Sequence, residues 1–296
     1  MSIDAQANLR TLRDALRFAV TRFNEAKVYF GHGQADAFDE AVFLVMRSLQ
    51  LPLERLDVFL DAYLTHAEIN TLLQRIELRV KKRLPAAYIL KEAWLQDYHF
   101  QVDERAIVPR SFIAELLKDE LQPWVDARAV TDVLDLCTGC GCLAVIAADV
   151  FPRARVDAVD LSPQALELAR RNVAEYQLED RIKLHEGDLF APLEGRRYDL
   201  ILCNPPYVTD ASMARLPKEY THEPKLALAG GPDGMNVIRR LLRESRSHLK
   251  SGGLLIVEVG GERARVEKTF KDVPMTWLTT SAGDDMVFLA RQEELS

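Results

Sequence analysis

The chain of 296 residues is 48% hydrophobic and 28% charged, a balance that suits one large soluble domain and a smaller one. Its net charge of −7 disfavours long-range attraction to bare nucleic acid, and it has no run of about 18 uncharged apolar residues, so no membrane span is expected. Four cysteines are too few for a disulfide scaffold at this length.

The opening stretch, Met1–Phe18, is charged and amphipathic and lacks the apolar core of a secretion signal, which points to the cytosol. Residues 1–92 read as helical. Leu9, Leu12, Leu16 and Ala19 recur at helical spacing, as do Ala41, Leu44, Val45 and Leu49. Leu72, Leu73, Ile76 and Val80 mark a further helix, which Pro85 ends. Residues 1–95 hold 13 Lys/Arg and 12 Asp/Glu, so the remainder carries −8. An acidic remainder suits a basic protein partner better than a DNA duplex. Over 93–109, aromatic and β-branched residues flank the turn-like pair Asp103-Glu104, and a hairpin linker is expected there. Pro109-Arg110 then leads into a helix over roughly 111–121.

From about residue 130, strand and helix alternate. Strands are expected at Val130–Leu136, Arg155–Asp160, Ile182–Glu186, Tyr198–Cys203 and Leu254–Val259. Helices are expected at Gly141–Val150, at Pro163–Tyr176 behind a Ser162 cap, and within Pro232–Leu249, stopped near Gly252-Gly253. Met275–Thr279 and Met286–Ala290 close the chain as a hairpin. This alternation implies an α/β fold with a parallel sheet covered by helices on both faces.

Four strand ends carry the chemistry. After the first strand comes Asp135-Leu-Cys137-Thr138-Gly139-Cys140-Gly141, where two glycines let the backbone pass close to a ligand. Asp160 ends the second strand and can accept hydrogen bonds from a ribose. Asp188, with Leu189 beside it, ends the third and is placed to reach an adenine. The fourth runs into Asn204-Pro205-Pro206-Tyr207, which can continue neither strand nor helix. That tetrapeptide offers an amide, two carbonyls and a flat ring, a set suited to gripping a planar amino group. The glycine turn alone would also serve tight strand-to-helix packing. The GxGxxG spacing of a dinucleotide site is absent, and Asp135 can hold an amino-acid moiety, so the four ends together favour S-adenosylmethionine over NAD. Cys137, Cys140 and Cys142 lack a second Cys/His pair at metal-ligand spacing, so no metal is expected. His222, in Tyr220-Thr-His-Glu-Pro224, reads as a loop-packing residue near the pocket.

In these residues the chain resembles the class I methyltransferases of the N(5)-glutamine type, the group that methylates glutamine side chains in release factors and a ribosomal protein. The likeness spans the helical start, the linker, DLCTGCG, NPPY and the following HEPKLALAGGPDG. It implies a Rossmann-like seven-stranded sheet over 110–296, a β-hairpin linker over 93–109 and a helical substrate-recognition domain over 1–92. It implies S-adenosylmethionine as cofactor and S-adenosylhomocysteine as product. By family analogy Phe100 from the hairpin would join Tyr207 against the glutamine, while the Asn204 oxygen and the Pro205 carbonyl would accept its two amide hydrogens. Where the release-factor branch has PRPxTE, this chain has Pro109-Arg-Ser-Phe-Ile-Ala-Glu115. Tyr29-Phe-Gly-His-Gly-Gln34, Asp39-Glu-Ala-Val42, VDERAIVPRS, Trp277 and Gly283-Asp284 resemble instead the branch acting on large-subunit ribosomal protein L(3). Two rivals remain at this stage: N(6)-adenine DNA methylation, which shares NPPY, and a ribosome-assembly binding module with a vestigial site.

Overall fold

The computed structural model describes residues 8–295, so Met1–Ala7 of the charged N-terminal stretch lie outside the described part. The chain divides into two compact units. One comprises the chain up to Ala93 together with Pro217–His222; the other comprises Trp94–Leu216 and the chain from Glu223. No helix among the described residues is long and apolar enough to cross a membrane.

The first unit is helical: α1 Leu12–Glu25, α2 Ala37–Ser48, α3 Leu56–Phe59, α4 His66–Glu77 and α5 Ala86–Leu90. Polar residues define the starts. Thr11 with Asp14 and Thr65 with Glu68 form capping boxes, and Asp36 accepts from the N–H groups of Phe38 and Asp39. Leu12, Leu16, Ala19 and Phe23 of α1 pack with Ala41, Leu44 and Val45 of α2 in one core. Beyond α4 the chain widens into a π turn, Leu78–Lys82, which ends where Arg83 turns left-handed at φ 60°. On that turn Arg79 is fully buried. Its guanidinium binds the Glu40 carboxylate, the Glu219 carboxylate at 3.2 Å and the Tyr29 carbonyl at 2.7 Å. A charge this deep persists only when it is paired and its donors are filled. Glu219 belongs to the Pro217–His222 excursion, which the sequence reading did not place in this unit. The Tyr220 ring packs there too, 5.9 Å from Tyr29 and 4.5 Å from His32 between ring centres.

The linker hairpin pairs β1 Glu92–Leu95 with β2 Tyr98–Gln101. It turns at Gln96-Asp97, where Gln96 has φ 44°, and not at Asp103-Glu104. Ala93, Leu95, Tyr98 and Phe100 point inward, so the alternation is complete before residue 102. Asp103 forms a separate turn, its carboxylate holding the N–H and guanidinium of Arg105.

In the second unit α6 Ile113–Lys118 precedes a seven-stranded sheet. Its strands are β3 Asp132–Leu136, β4 Arg155–Asp160, β5 Ile182–Glu186, β6 Tyr198–Cys203, β7 Leu249–Glu258, β8 Thr276–Thr280 and β9 Gly283–Arg291. The order is β5-β4-β3-β6-β7-β9-β8, parallel through β7, with β9 antiparallel to both β7 and β8. Helices α7 Cys142–Val150, α8 Pro163–Glu175, α11 Asn236–His248 and α12 Arg263–Thr269 cover it, with the short α9 Asp210–Met213 and α10 Lys225–Leu228 in the loop after β6. Strand alternation splits the core in two. Val133, Leu200 and Leu202 pack with α6 and α7 on one face; Leu134, Leu136, Ile201 and Cys203 pack with α11 and α12 on the other.

Candidate active site

Register brings the strand ends together. Leu136 of β3 pairs with Val159 of β4 and with Cys203 of β6, and Asp160 pairs with Glu186 of β5. The chain runs outward from β3 to β5 and then crosses to β6 on the other side, so the crevice beyond these ends is the switch point where α/β sheets bind ligands. An open cleft lies there, with a cavity volume of ≈ 150 Å³. Of the residues expected at the site, Cys137, Gly139, Asp160, Asp188, Leu189, Asn204 and Pro206 line it.

Asp160 organises the glycine turn. One oxygen accepts the Gly139 N–H and the other the Ser162 N–H, both at 2.8 Å. Each oxygen keeps acceptor capacity for a ligand. Burial raises this carboxyl, against the pull of its N–H donors. Gly141 has φ 83°, and a Cβ there would lie 3.1 Å from the Ala169 Cβ and 3.3 Å from its Cα. The turn therefore packs directly on α8. From α8, Asn172 donates to the Cys140 carbonyl at 2.8 Å and also pairs with the backbone of Gln101, which ties the turn to the linker. Asn172 escaped the sequence reading because nothing local marks it.

Asp135 does not line the cleft. It is fully buried, and one oxygen accepts from the Thr138 hydroxyl and the Ala144 N–H. The other oxygen has no partner among the described residues. Burial pushes this carboxyl up to about 7, with the Asp160 charge adding to the rise. Thr138 and Cys140 are likewise buried behind the cleft surface. Asp188 is in the wall, but its carboxylate is gripped by Arg240 of α11 at 2.8 and 2.9 Å.

Asn204 faces the cleft, and its side-chain amide makes no hydrogen bond among the described residues. The backbone after it is cradled by Gly230-Gly231-Pro-Asp-Gly234. Val208 accepts from Gly230 N–H at 2.8 Å and donates to the Leu228 carbonyl at 2.9 Å. A Cβ on Gly230 would lie 2.8 Å from the Pro206 oxygen, and one on Gly234 would lie 2.3 Å from the Tyr207 oxygen. The LAGGPDG run is thus the mould that shapes the proline segment. The Tyr207 ring lies against Gly260, where a Cβ would meet it at 2.5 Å.

Residues 114–225 match the Methyltransferase small domain family. The chain is 54% identical to the ribosomal protein uL3 glutamine methyltransferase of Burkholderia pseudomallei, over 97% of this chain and 96% of the relative. It is 50% identical to the protein of that name from Neisseria gonorrhoeae, over 98% and 97%. The chain belongs to the ribosomal protein uL3 glutamine methyltransferase family. It is a methyltransferase. Among solved structures, the hMettl16 catalytic domain in complex with MAT2A 3′UTR hairpin 1 shares the fold at TM-score 0.50 and 17% identity, over 76% of this chain and 79% of that one.

One expected contact needs correction within this methyltransferase. Phe100 is fully buried, stacked with Tyr98 and set against Tyr176, because the inward face of β2 belongs to the core. It has no surface to offer a substrate. The linker reaches the cleft five residues later, through Arg105, Ala106 and Ile107. His222 packs in its loop as read, its Nε2 lying 2.8 Å from the Lys82 carbonyl, and it does not line the cleft. Pro224, Leu226 and Ala227, which follow it, line the cleft.

Proposed function

We propose that the cleft binds S-adenosylmethionine and that the enzyme methylates a glutamine side-chain nitrogen of ribosomal protein uL3. The observation that carries this reading is the Asn204 amide, which makes no hydrogen bond among the described residues and stands in the wall of a cleft whose other strand ends present Asp160 and Asp188. The cofactor fits the residues present. The unpartnered oxygen of Asp135 suits an ammonium group, and Asp160 retains lone pairs for ribose hydroxyls. Leu161 and Leu226, both about half exposed and both in the cleft wall, offer apolar faces to a flat base. When bound, S-adenosylmethionine supplies an electrophilic methyl group on a sulfonium and departs as S-adenosylhomocysteine.

An amide nitrogen is a weak nucleophile, so the protein's task is alignment. The Asn204 oxygen and the Pro205 carbonyl accept the two amide hydrogens, which fixes the plane of the glutamine and aims its nitrogen. These acceptors bind more strongly as the nitrogen gains positive character, which lowers the barrier. The proton then leaves to water, since a methylated amide cation is strongly acidic. A ribosomal protein substrate puts the reaction in the cytosol.

The direct test incubates the purified enzyme with isotopically labelled cofactor and uL3, a release factor or DNA. Mass spectrometry should find one methyl group on a glutamine of uL3. Label confined to the release factor or to adenine would overturn the substrate assignment.

Asp160→Ala removes the ribose acceptor and the tether of Gly139. Cofactor affinity measured by calorimetry should fall on the order of tenfold to a hundredfold, the worth of one or two charge-assisted hydrogen bonds. An unchanged affinity would refute the role of this carboxylate.

Binding should also depend on pH through Asp135. Its folded pKa of about 7 lies above the unfolded value of 3.8, so its contribution to stability is fully present below pH 3.8 and is lost progressively as pH rises from there through 7. A bound cation reverses that cost by stabilising the ionised carboxylate. The rise in Tm on adding cofactor should therefore be larger at pH 8 than at pH 6, with affinity falling by up to about tenfold per pH unit below 7. Asp135→Asn should flatten this dependence; an equal slope in the variant would assign the titration elsewhere.

A further inference from the structure

A buried acid joins two walls of the cleft. Glu223 is 3% exposed and accepts hydrogen bonds from the Val108 N–H at 3.0 Å and from both terminal nitrogens of Arg110, Nη2 at 2.8 Å. Arg110 also donates to the Val108 carbonyl at 3.1 Å. Neither ionic side chain is in the cleft wall, yet both stand beside it. Ala106 and Ile107 line the cleft just before Val108, and Pro224, Leu226 and Ala227 line it just after Glu223. A Cβ on Gly139 would have Ala106 as its nearest neighbour, at 4.0 Å, so this wall lies across from the glycine turn.

The same segment is held from the other side. Glu258, the last residue of β7, accepts from the Ser111 hydroxyl at 2.6 Å and the Phe112 N–H at 2.8 Å. Cys203, which precedes Asn204, pairs with Val257, which precedes Glu258. Residues 108–112 are thus pinned between the strand beside Asn204 and the loop that returns from Tyr207. A bidentate guanidinium–carboxylate pair fixes distance and angle together, which a single contact does not.

We propose that Arg110 and Glu223 are positioning residues for the cofactor: their ion pair sets the spacing between the Ala106–Ile107 wall and the Pro224–Ala227 wall. This rests on the reading of the cleft as the S-adenosylmethionine site. Without the pair, the walls keep their composition and lose their register, so the ligand meets a cleft of the wrong width. Arg110→Lys keeps the charge and loses the fork; Glu223→Gln keeps the shape and loses the charge.

The test is calorimetric titration of S-adenosylhomocysteine into wild type, Arg110→Lys, Arg110→Met, Glu223→Gln and the Arg110→Met/Glu223→Gln double variant, each checked for a cooperative thermal transition. Each folded single variant should bind about tenfold or more weakly, as expected for a lost charge-assisted pair. The double variant should bind no worse than the weaker single one, which is the signature of residues acting as a unit. In turnover assays the variants should raise KM for the cofactor, with kcat at saturation within about threefold. Affinity within twofold of wild type in a variant that melts at a lower temperature would show a merely structural pair and overturn the inference, as would penalties that multiply in the double variant. Absence of binding by the wild type would instead refute the cofactor reading itself.

Discussion

Asn204→Ala abolishes methyl transfer to the substrate glutamine while the cofactor still binds within a few-fold of its normal affinity. The expected loss in kcat is about a thousandfold or more, the scale seen when a single preorganised hydrogen-bonding group is removed from a reaction centre. The reason is geometric. Asn204 presents the one side-chain amide of the proline segment, and no hydrogen bond among the described residues engages it. On the proposed reading the cofactor is held mainly from other strand ends, where Asp160 and Asp188 line the cleft. The measurement pairs methyl incorporation into uL3 with calorimetry of the cofactor on the same preparation. Turnover within tenfold of wild type would sink the alignment mechanism. A matched loss of cofactor binding would move Asn204 from the substrate to the cofactor.

Gly234→Ala comes second in expected effect, although residue 234 touches no reacting atom. Its φ of 77° suits glycine, and a Cβ would lie 2.3 Å from the Tyr207 carbonyl oxygen, a distance no side chain can occupy. The obstacle is backbone, so the Asn204–Tyr207 segment must move for the alanine to fit. A displacement near 1 Å at the aligning groups costs about a hundredfold in rate. Gly252→Ala is the control. Its φ of 75° imposes a similar backbone strain, but nothing lies within 4 Å of the added methyl. That variant should lose some stability, about 1 kcal/mol, and keep its activity. Equal activity losses in both would show that strain alone, and not the contact with Tyr207, is responsible.

Much of the catalytic unit was legible because its inner parallel strands are buried on both faces and so read as unbroken apolar runs. Arg155–Asp160, Ile182–Glu186 and Tyr198–Cys203 begin and end at the residues expected. The strand-end residues follow from that, since register alone carries Cys137, Asp160, Asp188 and Asn204 to one crevice. What was not legible depends on partners distant in the chain. Asp135 carries the right chemistry at the right strand end but is fully buried, with one oxygen held by Thr138 and Ala144 and the other without a partner among the described residues. Phe100 was misplaced because a β-strand aromatic packs wherever its own face points, and that face meets Tyr176. The Asp103-Glu104 turn signal was real, but it belonged to a turn held by Arg105 after the hairpin had closed. Arg110, Glu223 and Asn172 act through long-range contacts spanning from 32 to 115 positions, which no local pattern announces.

The Pro217–His222 excursion bears on how this family can exchange parts. Those six residues, with Glu219 fastened to buried Arg79, are interleaved with the helical unit although they are encoded in the middle of the catalytic one. A chimera that swaps only the N-terminal segment between relatives of different specificity would leave Arg79 facing a foreign loop. Recombination that preserves the fold must carry two separate stretches of the gene together. The helical unit is therefore a split inheritance rather than a detachable cassette.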